Sequence, residues 1–162
     1  MRNRFAGAFA IGIVAVAVIV GAIFYMQRGA HVELKGQILK VRTAPLDEHS
    51  SVAVIDFRFD NPSYVKFVVR TVTVLLEEPN GNQIPGETVS EVDAQRLFAG
   101  LPLLGQKFNR TLVMQDTVQA HASEDRMVAA RFEVPESTLE SRKRLVVRIE
   151  DVDGPVTEIS EN

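Results

Sequence analysis

The sequence contains no cysteine, which excludes disulfide scaffolds, thiol nucleophiles and cysteine-based zinc sites. Tryptophan is also absent, and histidine occurs three times, at His31, His49 and His121. These lie far apart in polar surroundings, whereas a metal site needs them to converge with carboxylates, so solvated surface histidines are expected. No G-x-G-x-x-G or Walker sequence occurs, and Ser50, Ser51 and Ser90 lack a G-x-S-x-G setting. A basic excess is missing as well: 18 Lys and Arg stand against 21 Asp and Glu, a net charge of -3. The only charges in the first 28 residues are Arg2, Arg4 and Arg28, leaving 15 basic and 21 acidic side chains in the other 134 residues. An acidic body of this kind is unsuited to nucleic acid, whose phosphates demand basic patches.

What is present is 162 residues, 46% apolar and 24% charged, enough for about one domain and unlike a disordered chain. Phe5 to Met26 is a 22-residue stretch without a charge. As a helix it reaches about 33 Å, enough for a hydrocarbon core of about 30 Å. Ile11, Val14, Val16, Val18, Ile19, Val20, Ile23 and Phe24 make it apolar all round, so its natural solvent is lipid. A cleaved secretory signal is the competing reading. The stretch is longer than the usual apolar region of such signals, and its nearest cleavage candidate, Gly29-Ala30, directly follows Arg28. An uncleaved anchor is therefore expected, with residues 1–4 in the cytoplasm, a transmembrane helix over 5–26 and a short linker over 27–31. Arg2 and Arg4 favour that orientation, while Arg28, Lys35 and Lys40 weaken the bias from the other side. Ala8-x-x-x-Gly12 and Ala17-x-x-x-Gly21 are spacings that allow helices to approach, so a homo-oligomer through this helix is one expectation and plain lipid exposure the other.

Beyond Arg28 the apolar period becomes two. In Ser51–Asp60, Ala53, Ile55, Phe57 and Phe59 point one way and Asp56, Arg58 and Asp60 the other, which predicts a half-buried strand closed by Asn61-Pro62-Ser63. Tyr64–Glu78 changes parity, with Val65, Phe67 and Val69 on one face and then Val72, Val74 and Leu76 on the other. That slip predicts a bulge near Val69–Thr71. Pro79-Asn80-Gly81-Asn82 and Pro85-Gly86 read as turns, and Glu87–Val92 as a short edge strand. Arg110–Val118, Met127–Val134 and Lys143–Val152 alternate similarly, and Val32–Arg42 completes about seven strands. Asp93–Leu104 spaces Leu97, Phe98, Leu101 and Leu104 like a helix, cut short by Gly100 and Pro102, and is expected to plug one end of the sandwich. Pro135–Ser141 reads as a helical turn between strands, and the acidic tail 154–162 as frayed. The fold class is all-β, a seven-stranded immunoglobulin-like antiparallel sandwich over 32–153 preceded by one transmembrane helix.

The chemistry of the body is thin. Asp47-Glu48-His49 are neighbours in sequence, but triads are spatial. Glu150-Asp151-Val152-Asp153-Gly154 echoes the start of a calcium loop without its later ligands. Asn109-Arg110-Thr111 is a formal glycosylation sequon. Arg142-Lys143-Arg144 either meets anionic lipid or, more simply, ends a helix. No residue is assigned to catalysis, to a cofactor or to a metal.

An apolar anchor followed by such a body, with Phe57-Arg58-Phe59-Asp60-Asn61-Pro62-Ser63 ending a strand and Gly81-Asn82-Gln83-Ile84-Pro85-Gly86 following the next, resembles the type 2 late-embryogenesis-abundant (water-stress and hypersensitive response) domain. Bacterial immunoglobulin-like modules of the FxLYD type are similar at the same level. The resemblance implies a β-sandwich with no known catalytic residues, so it transfers no site. The expected function is non-enzymatic: a single-pass plasma-membrane protein presenting an extracytoplasmic sandwich for protein binding, scaffolding or envelope maintenance, with lipid met through residues 5–26, an unidentified protein partner and no cofactor. A stress-protective module and a carboxylate-based enzyme with a pocket near Leu97–Leu104 are the alternatives.

Overall fold

The computed structural model describes residues 2–27 and 33–161, which fall into two compact units divided between His31 and Val32. The first unit is helix α1, Arg2–Gln27. Its described side chains, at 9, 11–23 and 25, are all exposed. Among the described residues, no helix is long and apolar enough to cross a membrane. Most of the expected linker, 28–31, lies outside the described residues, as does His31.

The second unit is a β-sandwich of eight strands rather than the expected seven: β1 Lys35–Pro45, β2 Ser51–Asp60, β3 Phe67–Glu77, β4 Gln83–Thr88, β5 Thr117–Val118, β6 Ser123–Phe132, β7 Arg144–Asp151 and β8 Val156–Ser160. Neighbours follow the order β1-β2-β6-β4-β3-β7-β8, with the two-residue β5 on β3. Every pairing between strands is antiparallel. The expected bulge is present, since the register of β3 against β7 shifts between Val69 and Thr71. It lets Phe67 and Val69 before it, and Val74 and Leu76 after it, all enter one core.

Pro85-Gly86 is not a turn, and Glu87–Val92 is not an edge strand. Gln83–Gly86 pairs with β3, and Glu87 then pairs with Arg131 and Thr88 with Ala130 of β6, so β4 passes from one sheet to the other. Gly86 permits the passage, because a Cβ there would lie 2.6 Å from the Phe132 ring. The tail is not frayed either: β8 pairs with β7 from Val156 to Ser160. Its Thr157 and Ile159 are buried, while Glu158 faces Arg148. Arg110–Val118 is mostly loop and reaches strand geometry only at β5, although Thr111 bridges Met127 of β6.

The inner core is built as the alternation predicts, from Ala53, Ile55, Phe57 and Phe59 of β2 against Val128, Ala130 and Phe132 of β6 and against β3 and β7. The outer face of β2 and β6 departs from expectation. Asp93–Leu104 does not plug an end. It forms helix α2, Glu91–Gly100, and a 3-10 turn at Pro102–Leu104, and these cover Val52, Val54, Met127 and Ala129 in a second core. Ser90 caps α2 by accepting a hydrogen bond from the Asp93 amide. Helix α3, Glu136–Glu140, crosses between β6 and β7 as expected and lies against β1 and β2.

The two terminal strands of the order meet at one point. The Leu34 amide donates to Thr157 Oγ1 at 2.9 Å, and a Cβ on Gly36 would collide with Ile159 Cδ1 and stand 2.8 Å from the Arg58 carbonyl. Gly36→Ala is therefore expected to cost about 1–3 kcal/mol. Gly100→Ala has open space around its Cβ and is expected to be neutral or slightly stabilising at the end of a helix. Thermal melts of the two variants test the contrast, and equal melting temperatures would contradict it.

Candidate functional site

Polar groups inside the body are committed to one another. Asp56, read from the alternation as facing water, is 4% exposed. It accepts from Arg42 Nη2 at 2.6 Å and from Asn109 Nδ2 at 2.9 Å. Arg42 also donates to the carbonyls of Leu104 and Gln106, and its guanidinium lies 4.9 Å from the Phe98 ring centre. This cluster ties segment 101–109 to the outer face of β2. The amide of the sequon residue Asn109 is thus in use.

Glu91, at the start of α2, holds the next stretch of the same segment. It accepts from Lys107 Nζ at 2.8 Å and from the Thr111 amide at 2.9 Å. Burial opposes its charged form, but the hydrogen bonds from Lys107, Thr111 and Gln95 outweigh it and bring its pKa from 4.5 down to about 2. The folded pKa lies below the unfolded one, so this stabilisation is full above about pH 4.5 and fades as pH falls toward 2. With the side chain 32% exposed, its size is on the order of 1–2 kcal/mol. Unfolding midpoints measured from pH 6 to pH 3 should fall less steeply for Glu91→Gln than for the parent chain, and parallel slopes would contradict this.

The other motifs resolve into turns and ion pairs. Asp47 accepts from the His49 amide and from Ser50 Oγ, and these bonds, Ser50 first, hold its carboxyl below the usual range. His49 sits in the β1–β2 turn, whereas His121 stacks edge-on against Tyr64 at 4.7 Å beside the start of β6. They stand at opposite ends of the sandwich, since Ser51 pairs with Phe132 and Asp60 with Ser123. Both oxygens of Asp151 take backbone amides, from Asp153 and Val68, so this carboxylate closes a turn. Arg142 binds Glu161, and Lys143 and Arg144 both bind Glu77, so the basic triplet is paired with acids rather than free for lipid. The hydrogen bonds from Lys143 and then Arg144 keep the Glu77 carboxyl below its ordinary value. Asn61 is buried and donates to the carbonyls of Val65 and Gln119 while accepting from Ser63, which makes the Asn-Pro-Ser step a fastener between two loops. Among the described residues, no group of three His, Cys, Asp or Glu is placed to hold a metal ion.

The pocket expected near Leu97–Leu104 exists as a groove of about 370 Å³, lined by Leu46, Val52, Val89, Leu97 and Leu101 with Asp93, Gly100, Arg96 and Arg131. Asp93 is its single carboxylate, and that group is bound to Ser90 and Arg96. The opposed pair that acid–base chemistry needs is not assembled there.

A different surface is open. β1 and β8 are the two edges of the strand order. They touch at Leu34 and Gly36 and then part, leaving a cleft of about 530 Å³ lined by Gly36–Val41 on one side and Ser160 and Glu161 on the other. Along β1 the outward row comprises Lys35, Gln37, Lys40 and Arg42, opposite Asp60, Arg58, Asp56 and Val54 of β2. Leu39 occupies a register shift and is 45% exposed. Asp56 is taken by Arg42, and among the described residues neither Lys35 nor Lys40 enters an ion pair. Sequence reasoning placed these lysines only as orientation signals. The usable hint was that residues 34–46 contain no acid.

No family model matches the chain, and no curated protein is similar to it. Several solved structures are similar in outline. An uncharacterized beta-sandwich protein from Clostridium difficile 630 has a TM-score of 0.42 at 11% identity, covering 80% of this chain and 86% of that one. The archaellum periplasmic stator protein complex FlaF and FlaG from Sulfolobus acidocaldarius gives 0.37 at 14%, covering 78% and 87%. An ApaG protein from Pseudomonas aeruginosa gives 0.38 at 13%, covering 75% and 95%. Likenesses this remote decide nothing about this chain, whose fold rests on its own strand pairing.

Proposed function

We propose that the chain is a non-enzymatic, single-pass membrane protein that holds its sandwich on the outer side of a plasma membrane for contact with other proteins. The supporting observation is α1. The uncharged stretch 5–26 has the length of a bilayer span, and every described side chain of the helix is exposed, including Phe9 at 73% and Ile11 at 72%. Such a surface needs lipid or another apolar cover. Arg2 and Arg4 favour a cytoplasmic N-terminus. The body adds to this reading because its buried carboxylates are bound to cations and to amides.

The absence of native cysteine makes the test clean. His49→Cys places one thiol on the exposed β1–β2 turn. The full chain should remain in membranes after alkaline extraction, and a membrane-impermeant maleimide should label it in intact spheroplasts. Release into the soluble fraction, or labelling only after lysis, would overturn the proposal.

A further inference from the structure

Resting on that reading, we propose that the β1 edge accepts an extended segment of a partner protein as an added strand, and that this segment carries aspartate or glutamate at alternate positions. The open edge, Gly36–Val41, spans about 20 Å, the length of a short strand. Contact between Leu34 and Thr157 closes the cleft at one end. An edge presents unpaired amides and carbonyls, so main-chain bonding supplies affinity for any extended chain.

The side chains set the preference. Lys35, Gln37 and Lys40 share the outward row. Side chains of an added strand would lie about 4.5–5.5 Å from those of Gln37 and Lys40, with Lys35 at the closed end of the cleft, and there opposite charge is favourable and like charge is not. The acid on the far lip does not compete, because both oxygens of Glu161 are bound to Arg142. The inward row holds Gly36, Ile38 and Val41, and Ile38 and Val41 pack against the core, so the intervening residues of the guest are apolar. A second copy is a poor occupant, since pairing two β1 edges brings Lys35 and Lys40 of one chain toward the same lysines of the other.

The probes are end-blocked fluorescent peptides of about eight residues: alternating Glu and Val, alternating Lys and Val, and the Glu–Val peptide with a central proline. Binding is read by anisotropy on the full chain in detergent micelles. The parent chain should bind the Glu–Val peptide, with affinity falling at high salt, and should bind the other two at least about tenfold more weakly. The double variant Lys35→Glu/Lys40→Glu should reverse the preference between the Glu–Val and Lys–Val peptides, and Lys40→Glu alone serves if the double variant misfolds. Amide exchange over Gly36–Val41 should slow in the complex. No binding, equal binding of the proline peptide, or an unchanged preference in the variants would overturn the proposal, as would a dimer abolished by the same variants. The assay does not depend on membrane orientation, so peptide binding with failed maleimide labelling would reject the topology alone, and the converse would reject the edge alone.

Discussion

Asp56→Ala is expected to lower the unfolding free energy by about 3–5 kcal/mol, the cost of stranding a buried cation. Arg42 and Asp56 meet at 2.6 Å with side-chain exposures of 9% and 5%. Removing the carboxylate leaves the guanidinium under α2 and also frees Asn109, whose amide donates to the same group. The loss should concentrate on segment 101–109, because Arg42 holds the carbonyls of Leu104 and Gln106. Replacing both partners with apolar residues, Arg42→Met/Asp56→Leu, removes the uncompensated charge and should recover most of the loss. Urea unfolding of the three proteins checks this. A single variant within about 1 kcal/mol of the parent would mean that water reaches the pair and screens it.

Phe57→Ala should cost a similar amount, about 3–5 kcal/mol, for a different reason. Phe57 is fully buried in the centre of β2. There it is paired with Ile38 on one side and Arg126 on the other, and its ring centre is 5.7 Å from that of Phe59. Truncation leaves a void between two sheets that are held apart by their remaining side chains, so the site collapses only partly. Phe57→Leu should lose much less. Tyr64→Ala, on a residue 90% exposed, should stay within about 0.5 kcal/mol. Denaturant midpoints for the three variants give the comparison, and equal losses for Phe57→Ala and Tyr64→Ala would contradict the placement of the core.

The inner core was legible because period-two alternation records a single buried face. Ala53, Ile55, Phe57 and Phe59 declare it directly, and the parity slip at Val69–Thr71 declares the bulge. The second core was harder to see because β2 is buried on both faces over its first half. The signal was present in the unbroken run Val52-Ala53-Val54-Ile55, which suits a covered strand better than an alternating one. Leu97, Phe98, Leu101 and Leu104 were recognised as a helical stripe, but a stripe does not say which surface it covers. β8 was hidden by Glu158 within it and Glu161 just after it, whose partners Arg148 and Arg142 lie in and just before β7. The β1 edge was invisible for a more general reason: an unpaired strand has the same local pattern as a paired one, and only the strand order distinguishes them.

The strand order also sets a timetable for synthesis. β2 meets β6, and β3 meets β7, across more than half of the body's length. Until Ser123 and the residues after it leave the ribosome, β2 lacks its β6 neighbour, and of the layer facing its apolar row only β3 and the part of β4 paired with it are present. The nascent chain must keep Ile55, Phe57 and Phe59 from adhering elsewhere during that interval. A product interrupted before β6 therefore loses more than its final strands, because β2 is left with an unpaired edge and β3 without its β7 neighbour.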